Sequence, residues 1–185
     1  MRIISGKYKG KRLMAPKKLP VRPTTDFAKE SLFNILNNHF YFDEVAVVEL
    51  FAGTGNISYE FASRGCPEIL CIDADAGCVN YINKIASELN FPIKALKADV
   101  FKYLEKATLK ANIIFADPPY DLPLEQFEKI AALVFGRSLV LEEGMLIIEH
   151  SKHTSLAHLP YFSFEKRYGG SVFSFFEVGA TGLVE

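Results

Sequence analysis

The stretch VAVVELFAGTGNISYEFASR, residues 45–64, decides how this chain folds. Val45–Phe51 is an apolar run of strand length, and Asn56–Arg64 reads as a helix. Ala52-Gly53-Thr54-Gly55 must therefore turn the chain sharply between them. Glycines at such a turn let the backbone bend tightly and approach a ligand closely. A strand, a glycine-bearing turn and a helix in that order begin a βαβ unit, and its next strand runs parallel to the first.

Downstream the alternation continues. Ile69–Ile72 is strand-like, Ala76–Leu89 has helical length, Ile93–Leu96 is a strand and Phe101–Ala107 a short helix. Ile113–Ala116 is the next strand, Leu124–Phe135 a helix and Met145–Glu149 another strand. Such a series predicts an α/β fold with a mostly parallel sheet covered on both faces. The end differs, because the β-rich runs Phe162–Tyr168 and Val172–Val178 flank Gly169-Gly170 as an antiparallel hairpin would. Upstream, Thr24, Thr25 or Asp26 can cap a helix carrying Ala28, Leu32, Ile35 and Leu36 at helical spacing, with Phe33 and Phe40 beside them. Residues 1–15 alternate loosely around Ser5–Gly10, a hairpin too small to be stable alone. Pro16, Pro20 and Pro23 punctuate a linker, and Gly179–Glu185 is an uninformative tail.

The totals narrow the function. At 185 residues the chain fits one domain with a substantial core, and 49% hydrophobic with 23% charged residues is ordinary globular composition. No stretch approaches a membrane span and no signal-peptide core opens the chain, so cytoplasmic residence is the expectation. Three cysteines, Cys66, Cys71 and Cys78, are too few for a four-thiolate zinc site. His150 and His153 could share a face, but the four histidines form no convincing cluster, and no metal is expected. The net charge of −1 hides an asymmetry. Residues 1–22 hold eight basic side chains (Arg2, Lys7, Lys9, Lys11, Arg12, Lys17, Lys18, Arg22) and no acidic one, leaving 13 basic against 22 acidic residues elsewhere. A cationic arm on an acidic protein reads as a polyanion contact, nucleic acid above all.

Acidic residues gather at the strand ends. Glu49 precedes the glycine turn. Asp73 ends the second strand at a spacing that suits a carboxylate accepting from ribose hydroxyls, with Asp75 as rival for that role or as helix cap. Asp99 ends the third strand and could accept from an exocyclic amine. A dinucleotide-binding turn would want a third glycine at position 58, where this chain has Ser58, so pyrophosphate binding is the poorer reading. After the fourth strand comes Asp117-Pro118-Pro119-Tyr120. Two prolines forbid further pairing and leave a rigid rim, with the Asp117 carboxylate and Pro118 carbonyl as acceptors and Tyr120 as a flat aromatic face. Such a rim suits a planar group bearing an amine, a nucleobase or an amide.

These residues resemble class I S-adenosylmethionine-dependent methyltransferases, and within them the RsmD family, which methylates the exocyclic N2 of a guanine in bacterial 16S ribosomal RNA. The resemblance runs over nearly the whole chain, through Arg2-Ile3-Ile4-Ser5-Gly6, Lys7-Tyr8-Lys9-Gly10-Lys11-Arg12, Arg22-Pro23-Thr24-Thr25-Asp26, Phe51-Ala52-Gly53-Thr54-Gly55, Ser63-Arg64-Gly65 and Asp117-Pro118-Pro119-Tyr120. It departs at Ser58, where relatives often carry glycine. The resemblance implies a Rossmann-like, seven-stranded, mostly parallel sheet with an antiparallel C-terminal hairpin and a small N-terminal β-hairpin. Residues 1–22 would form the basic hairpin and linker, 23–178 the methyltransferase domain and 179–185 a tail. It implies S-adenosylmethionine held by Glu49, Phe51, Ala52, Gly53, Thr54, Gly55, Asn56, Asp73, Ala74, Asp99 and Val100. Catalysis would fall to Asp117, Pro118 and Tyr120, and RNA contact to Lys7, Lys9, Lys11, Arg12, Arg22 and Thr24. The implied substrate is guanine 966 of 16S ribosomal RNA, probed within the assembled small subunit by a monomeric enzyme.

Rival readings are a DNA adenine-N6 methyltransferase, a release-factor glutamine methyltransferase, a nonenzymatic RNA-binding module on the same fold, and a nicotinamide oxidoreductase. The first wants an added target-recognition domain. The second wants Asn-Pro-Pro-Tyr and a helical N-terminal domain. The third leaves four strand-end acids without a use, and the fourth is weakened by Ser58.

Overall fold

In the computed structural model the chain is described over residues 1–16, 18–19 and 24–179, and it divides into two compact units, Met1–Val100 and Phe101–Glu185. In the first, helix α1 (Asp26–Leu36) opens where the Thr25 hydroxyl accepts from the Ala28 amide at 3.2 Å. Its buried stripe is Ala28, Lys29, Leu32, Phe33 and Leu36, one of them a lysine. A short 3₁₀ turn, Phe42–Glu44, leads into β1 (Ala46–Leu50). Then follow α2 (Asn56–Ser63), β2 (Glu68–Asp73), α3 (Ala76–Leu89) and β3 (Ile93–Lys97).

The three strands lie in the order β3-β2-β1 and pair in parallel, Val47 opposite Ile69 and Ile69 opposite Ile93. Helix α3 has the expected bounds. Asp75 caps it, accepting from the Cys78 amide at 2.8 Å, and Asn90 ends it in the left-handed region. Rings of Phe33, Phe42 and Phe61 meet edge to face beneath α1.

The N-terminal hairpin shrinks to a single antiparallel bridge, Arg2 to Arg12, framed by Ile3 N–H to Lys11 O and Leu13 N–H to Met1 O. The arm is nonetheless packed, for Ile3 and Leu13 are buried while Lys7, Lys9, Lys11 and Arg12 face solvent.

The second unit holds most of α4 (Val100–Lys106), then β4 (Ala111–Ala116), α5 (Leu124–Gly136), β5 (Val140–Ser151), β6 (Phe162–Tyr168) and β7 (Ser171–Glu177). Its strands run β4-β5-β7-β6, with β4 and β5 parallel and the last two pairings antiparallel. Strand β5 is longer than its apolar run, because Val140 already pairs with Ala111 and a bulge separates it from the Met145–Ile113 pair. Glu143 sits there at φ 63°, and a Cβ on Gly144 would lie 2.5 Å from the Asn112 carbonyl oxygen. Exposed acids at 142 and 143 are thus carried by a strand whose apolar half begins only at Met145. Seven strands, mostly parallel with an antiparallel C-terminal hairpin, are the fold class expected from the sequence.

Candidate active site

The glycine turn is built for close approach. Phe51, Gly53 and Gly55 all have positive φ, at 56°, 54° and 81°. A side chain at Gly55 would be strained by that φ and would crowd Ile82 and Tyr59 at about 3.0 Å. The turn is tied down by backbone bonds, Ala52 N–H to Ile72 O at 3.1 Å and Gly55 N–H to Ala52 O at 2.8 Å. Thr54 is buried and its hydroxyl faces the Met1 sulfur at 3.8 Å.

Asp73 ends β2 as expected, and its carboxylate organises the mouth of the turn. One oxygen accepts from Gly53 N–H and the other from Asp75 N–H, each at 2.8 Å. A carboxylate has about four acceptor sites, so capacity for hydroxyl donors remains. Ala74 is exposed beside it. Ala98 N–H donates to Asp73 O at 3.0 Å, which sets the exposed Asp99 next to this strand end, with buried Val100 opening α4. The two acids and the glycine turn therefore share one edge of the first unit.

Glu49 is placed differently from a freely available ligand. It is 3% exposed, and its carboxylate accepts from both the backbone N–H and the hydroxyl of Ser58, the first at 3.0 Å. Burial pushes its carboxyl up to about 7, and the two Ser58 hydrogen bonds pull in the opposite direction. Ser58, read from sequence only as a missing glycine, turns out to be the partner that holds this acid. Its hydroxyl also lies 3.0 Å from the Cys71 sulfur. Asn56 starts α2 and accepts from the Lys29 ammonium at 2.9 Å.

The donor set of the first unit suits S-adenosylmethionine in kind. Asp73 and Asp99 present carboxylate oxygens of the kind that accept from ribose hydroxyls or an exocyclic amine, and the glycine turn offers backbone without side-chain obstruction. Among the described residues, no group of three or more His, Cys, Asp or Glu gathers as a metal site.

In the second unit, Asp117 follows the last residue of β4 half-buried, Pro118 is buried and Pro119 exposed. Leu122 N–H to Pro119 O at 3.0 Å closes the turn. Tyr120 is half-buried, and its hydroxyl lies 2.5 Å from Ser171 Oγ and donates to Glu149 Oε1 at 3.3 Å. Glu149, on β5, is 4% exposed. Sequence reasoning missed this pair, since a lone Glu at the end of one strand and a Ser opening another carry no local mark. Neighbouring His150 is buried between Ser174 Oγ at 2.8 Å and Ser151 O at 2.9 Å, and burial lowers its pKa.

Of the RNA-contact candidates, Lys7 and Lys9 lie on the turn of the arm, Lys11 follows it and Arg12 sits in the bridge to Arg2, all four exposed. Thr24 is half-buried and its carbonyl oxygen faces the Asn56 amide at 3.5 Å. Arg22 lies outside the described residues. Two further charged residues escaped the sequence reading: Lys29 and Glu60, both 0% exposed and 3.5 Å apart. The available signal was a charged residue on each apolar helix stripe.

Comparison with known proteins matches this geometry to a family. The family model described as Conserved hypothetical protein 95 matches residues 1–177. The Bacillus subtilis protein YlbH is 32% identical over 161 residues, covering 84% of this chain and 85% of YlbH. Ribosomal RNA small subunit methyltransferase D of Escherichia coli K12 is 27% identical over 161 residues, covering 86% and 79%. Among solved structures, Escherichia coli yhhF superposes with a TM-score of 0.83 at 26% identity, covering 95% of this chain and 96% of that one. An RNA methyltransferase from Salinibacter ruber, solved with S-adenosyl-L-homocysteine, shares the fold at a TM-score of 0.65 and 13% identity, covering 84% and 92%. The chain belongs to the Conserved hypothetical protein 95 family, that of the RsmD ribosomal RNA methyltransferases.

Proposed function

We propose that this protein transfers a methyl group from S-adenosylmethionine to the exocyclic N2 of a guanine in 16S ribosomal RNA, position 966 in standard numbering. The observation that carries the reading is the Asp117-Pro118-Pro119-Tyr120 ledge at the end of β4, in a chain of an rRNA methyltransferase family. The cofactor supplies an electrophilic methyl on a sulfonium, so the protein needs neither a covalent intermediate nor a metal. What remains is to orient a weak nucleophile and exclude water.

The ledge does this with fixed acceptors. An exocyclic amine is a poor nucleophile because its lone pair is delocalised into the ring. Hydrogen bonds from that amine to the Asp117 carboxylate and the Pro118 carbonyl favour a pyramidal nitrogen and stabilise the positive charge that develops there. Pro118 is buried and its ring fixes φ, so its carbonyl is carried on a stiff stretch of backbone. Tyr120 offers its face to the base once it leaves its stack, and Ser171 and Glu149 hold that ring by its hydroxyl. Asp73 and Asp99 accept from the ribose and the adenine amine. In this reading Phe51, Ala52, Gly53, Thr54, Gly55, Asn56, Ala74 and Val100 belong to the same cofactor site, together with Glu49, whose carboxylate Ser58 holds.

Residues 1–22 form the RNA-gripping arm. Lys7, Lys9, Lys11, Arg12 and Arg22 neutralise phosphates and give salt-sensitive binding with little base selectivity, and Thr24 adds a neutral hydrogen-bonding contact. The enzyme acts as a cytoplasmic monomer on the assembled small subunit.

The test uses small subunits from cells without the protein, incubated with methyl-labelled S-adenosylmethionine and analysed by nucleoside mass spectrometry. N2-methylguanosine at the single target is expected, and label on adenine or none at all rejects the reading. In parallel, S-adenosylhomocysteine should raise the melting temperature and NAD should not. The reverse pattern would return the chain to the oxidoreductases.

A further inference from the structure

The arm is held by a buried carboxylate. Glu60 lies in the middle of α2 at 0% exposure, and its Oε2 accepts from Ile4 N–H at 2.8 Å while its Oε1 accepts from Ser5 N–H at 3.0 Å. Arg64 reaches Oε1 through both Nε and Nη2 at 2.9 Å, and Lys29 Nζ stands 3.5 Å from Oε2. Lys29 in turn donates to the Arg2 carbonyl at 2.5 Å.

One helical turn on, Ser63 Oγ donates to Ser5 O at 2.6 Å and accepts from Tyr8 N–H at 3.0 Å, and Ser63 O accepts from Lys7 N–H at 2.7 Å. The backbones are so close that a Cβ on Gly6 would sit 1.8 Å from Ser63 O. The segment that leads into Lys7, Lys9, Lys11 and Arg12 is therefore docked on α2 at Ile4, Ser5, Lys7 and Tyr8 rather than a loose tail.

Burying a carboxylate with two cations is a poor way to gain stability, because desolvation offsets most of the attraction. What such a cluster supplies here is a defined geometry for the arm. We infer that Glu60 is a positioning residue for nucleic-acid binding: it fixes the four exposed cations of the arm as one preformed phosphate-binding face. Binding then avoids the ordering penalty a flexible basic tail would meet. This inference rests on the reading of the arm as the RNA contact.

The test measures the affinity of small subunits for Glu60→Gln, with S-adenosylhomocysteine affinity and kcat alongside. Glu60→Gln keeps the volume but removes the charge that draws the two amides and two cations together. The dissociation constant for subunits should rise at least tenfold with a shallower salt dependence, while cofactor affinity and kcat stay within about twofold. A loss of folded protein would reduce all three signals together instead. Ser63→Ala, which removes two of the arm's bonds, should move the same constant in the same direction and serves if Glu60→Gln does not fold.

An unchanged subunit affinity in the folded variant overturns the inference. Lys9→Glu, Lys11→Glu and Arg12→Glu combined in the unaltered background separate it from the reading beneath. If that triple variant binds subunits normally, the arm is no RNA contact. If it binds weakly while Glu60→Gln binds normally, only the positioning role falls.

Discussion

Replacing Glu49 by glutamine should change how stability depends on pH, by an amount that follows from where the carboxyl sits. Its burial lifts the pKa from 4.5 to about 7, against the two hydrogen bonds from Ser58. In the unfolded chain the group ionises near 4.5, in the folded chain near 7. Its contribution to stability is thus intact below pH 4.5 and is lost as pH rises through 7. The gap of about 2.5 pH units corresponds to roughly 3 kcal/mol at about 1.4 kcal/mol per unit.

Glutamine cannot ionise, yet its carbonyl can still accept from Ser58. Relative to the parent, Glu49→Gln should therefore gain about 3 kcal/mol between pH 4.5 and pH 8, which for a chain of this size is roughly 6–12 °C in Tm. His150 works in the opposite sense. Burial holds its imidazole below 6.5, so it removes stability as pH falls beneath that value. It is present in both proteins and cancels in the difference. Urea unfolding followed by circular dichroism across this pH range is the assay. A stability difference that stays constant with pH would refute the argument.

Three further outcomes are expected. Asp117→Ala should keep S-adenosylhomocysteine affinity but lose on the order of a hundredfold or more in methyl transfer, the scale of removing one group that stabilises developing charge; full activity would take Asp117 out of the mechanism. Tyr120→Phe loses the hydroxyl bonds to Ser171 and Glu149 and should lower stability by about 1 kcal/mol, whereas Tyr120→Ala also loses a stacking face worth about 1–3 kcal/mol in RNA affinity. Equal RNA affinity for the two variants would exclude stacking. Gly6→Ala should destabilise by more than about 2 kcal/mol, because φ is 79° and the new methyl meets Ser63 O, while Gly10→Ala, at φ 84° with open space around it, should lose only about 1 kcal/mol. Equal losses in urea unfolding would show that the arm does not press on α2.

Much of this was legible from local pattern. The alternation of short apolar runs with helix-length segments located β1 to β4 and α2 to α5 to within a few residues, and α3 to both its ends, because side-chain periodicity and caps such as Asp75 act over a few neighbours. The acidic-Pro-Pro-Tyr rim was placed by the apolar run that precedes it and by two consecutive prolines, which oppose further pairing. Strand β5 was under-read because pairing with β4 carries it past its apolar run into Glu142 and Glu143.

Sequence alone determined the fold class, the glycine turn, the strand-end acids and the cationic arm, all of them properties of short segments. The tertiary structure decided what those charges touch. Glu60 meets Ile4 and Ser5 across more than fifty residues, Glu49 is closed off by Ser58, and Tyr120 is held by Ser171 and Glu149. A buried charge is tolerable only beside specific donors, and which donors arrive is set by how distant segments pack, a quantity no local window contains.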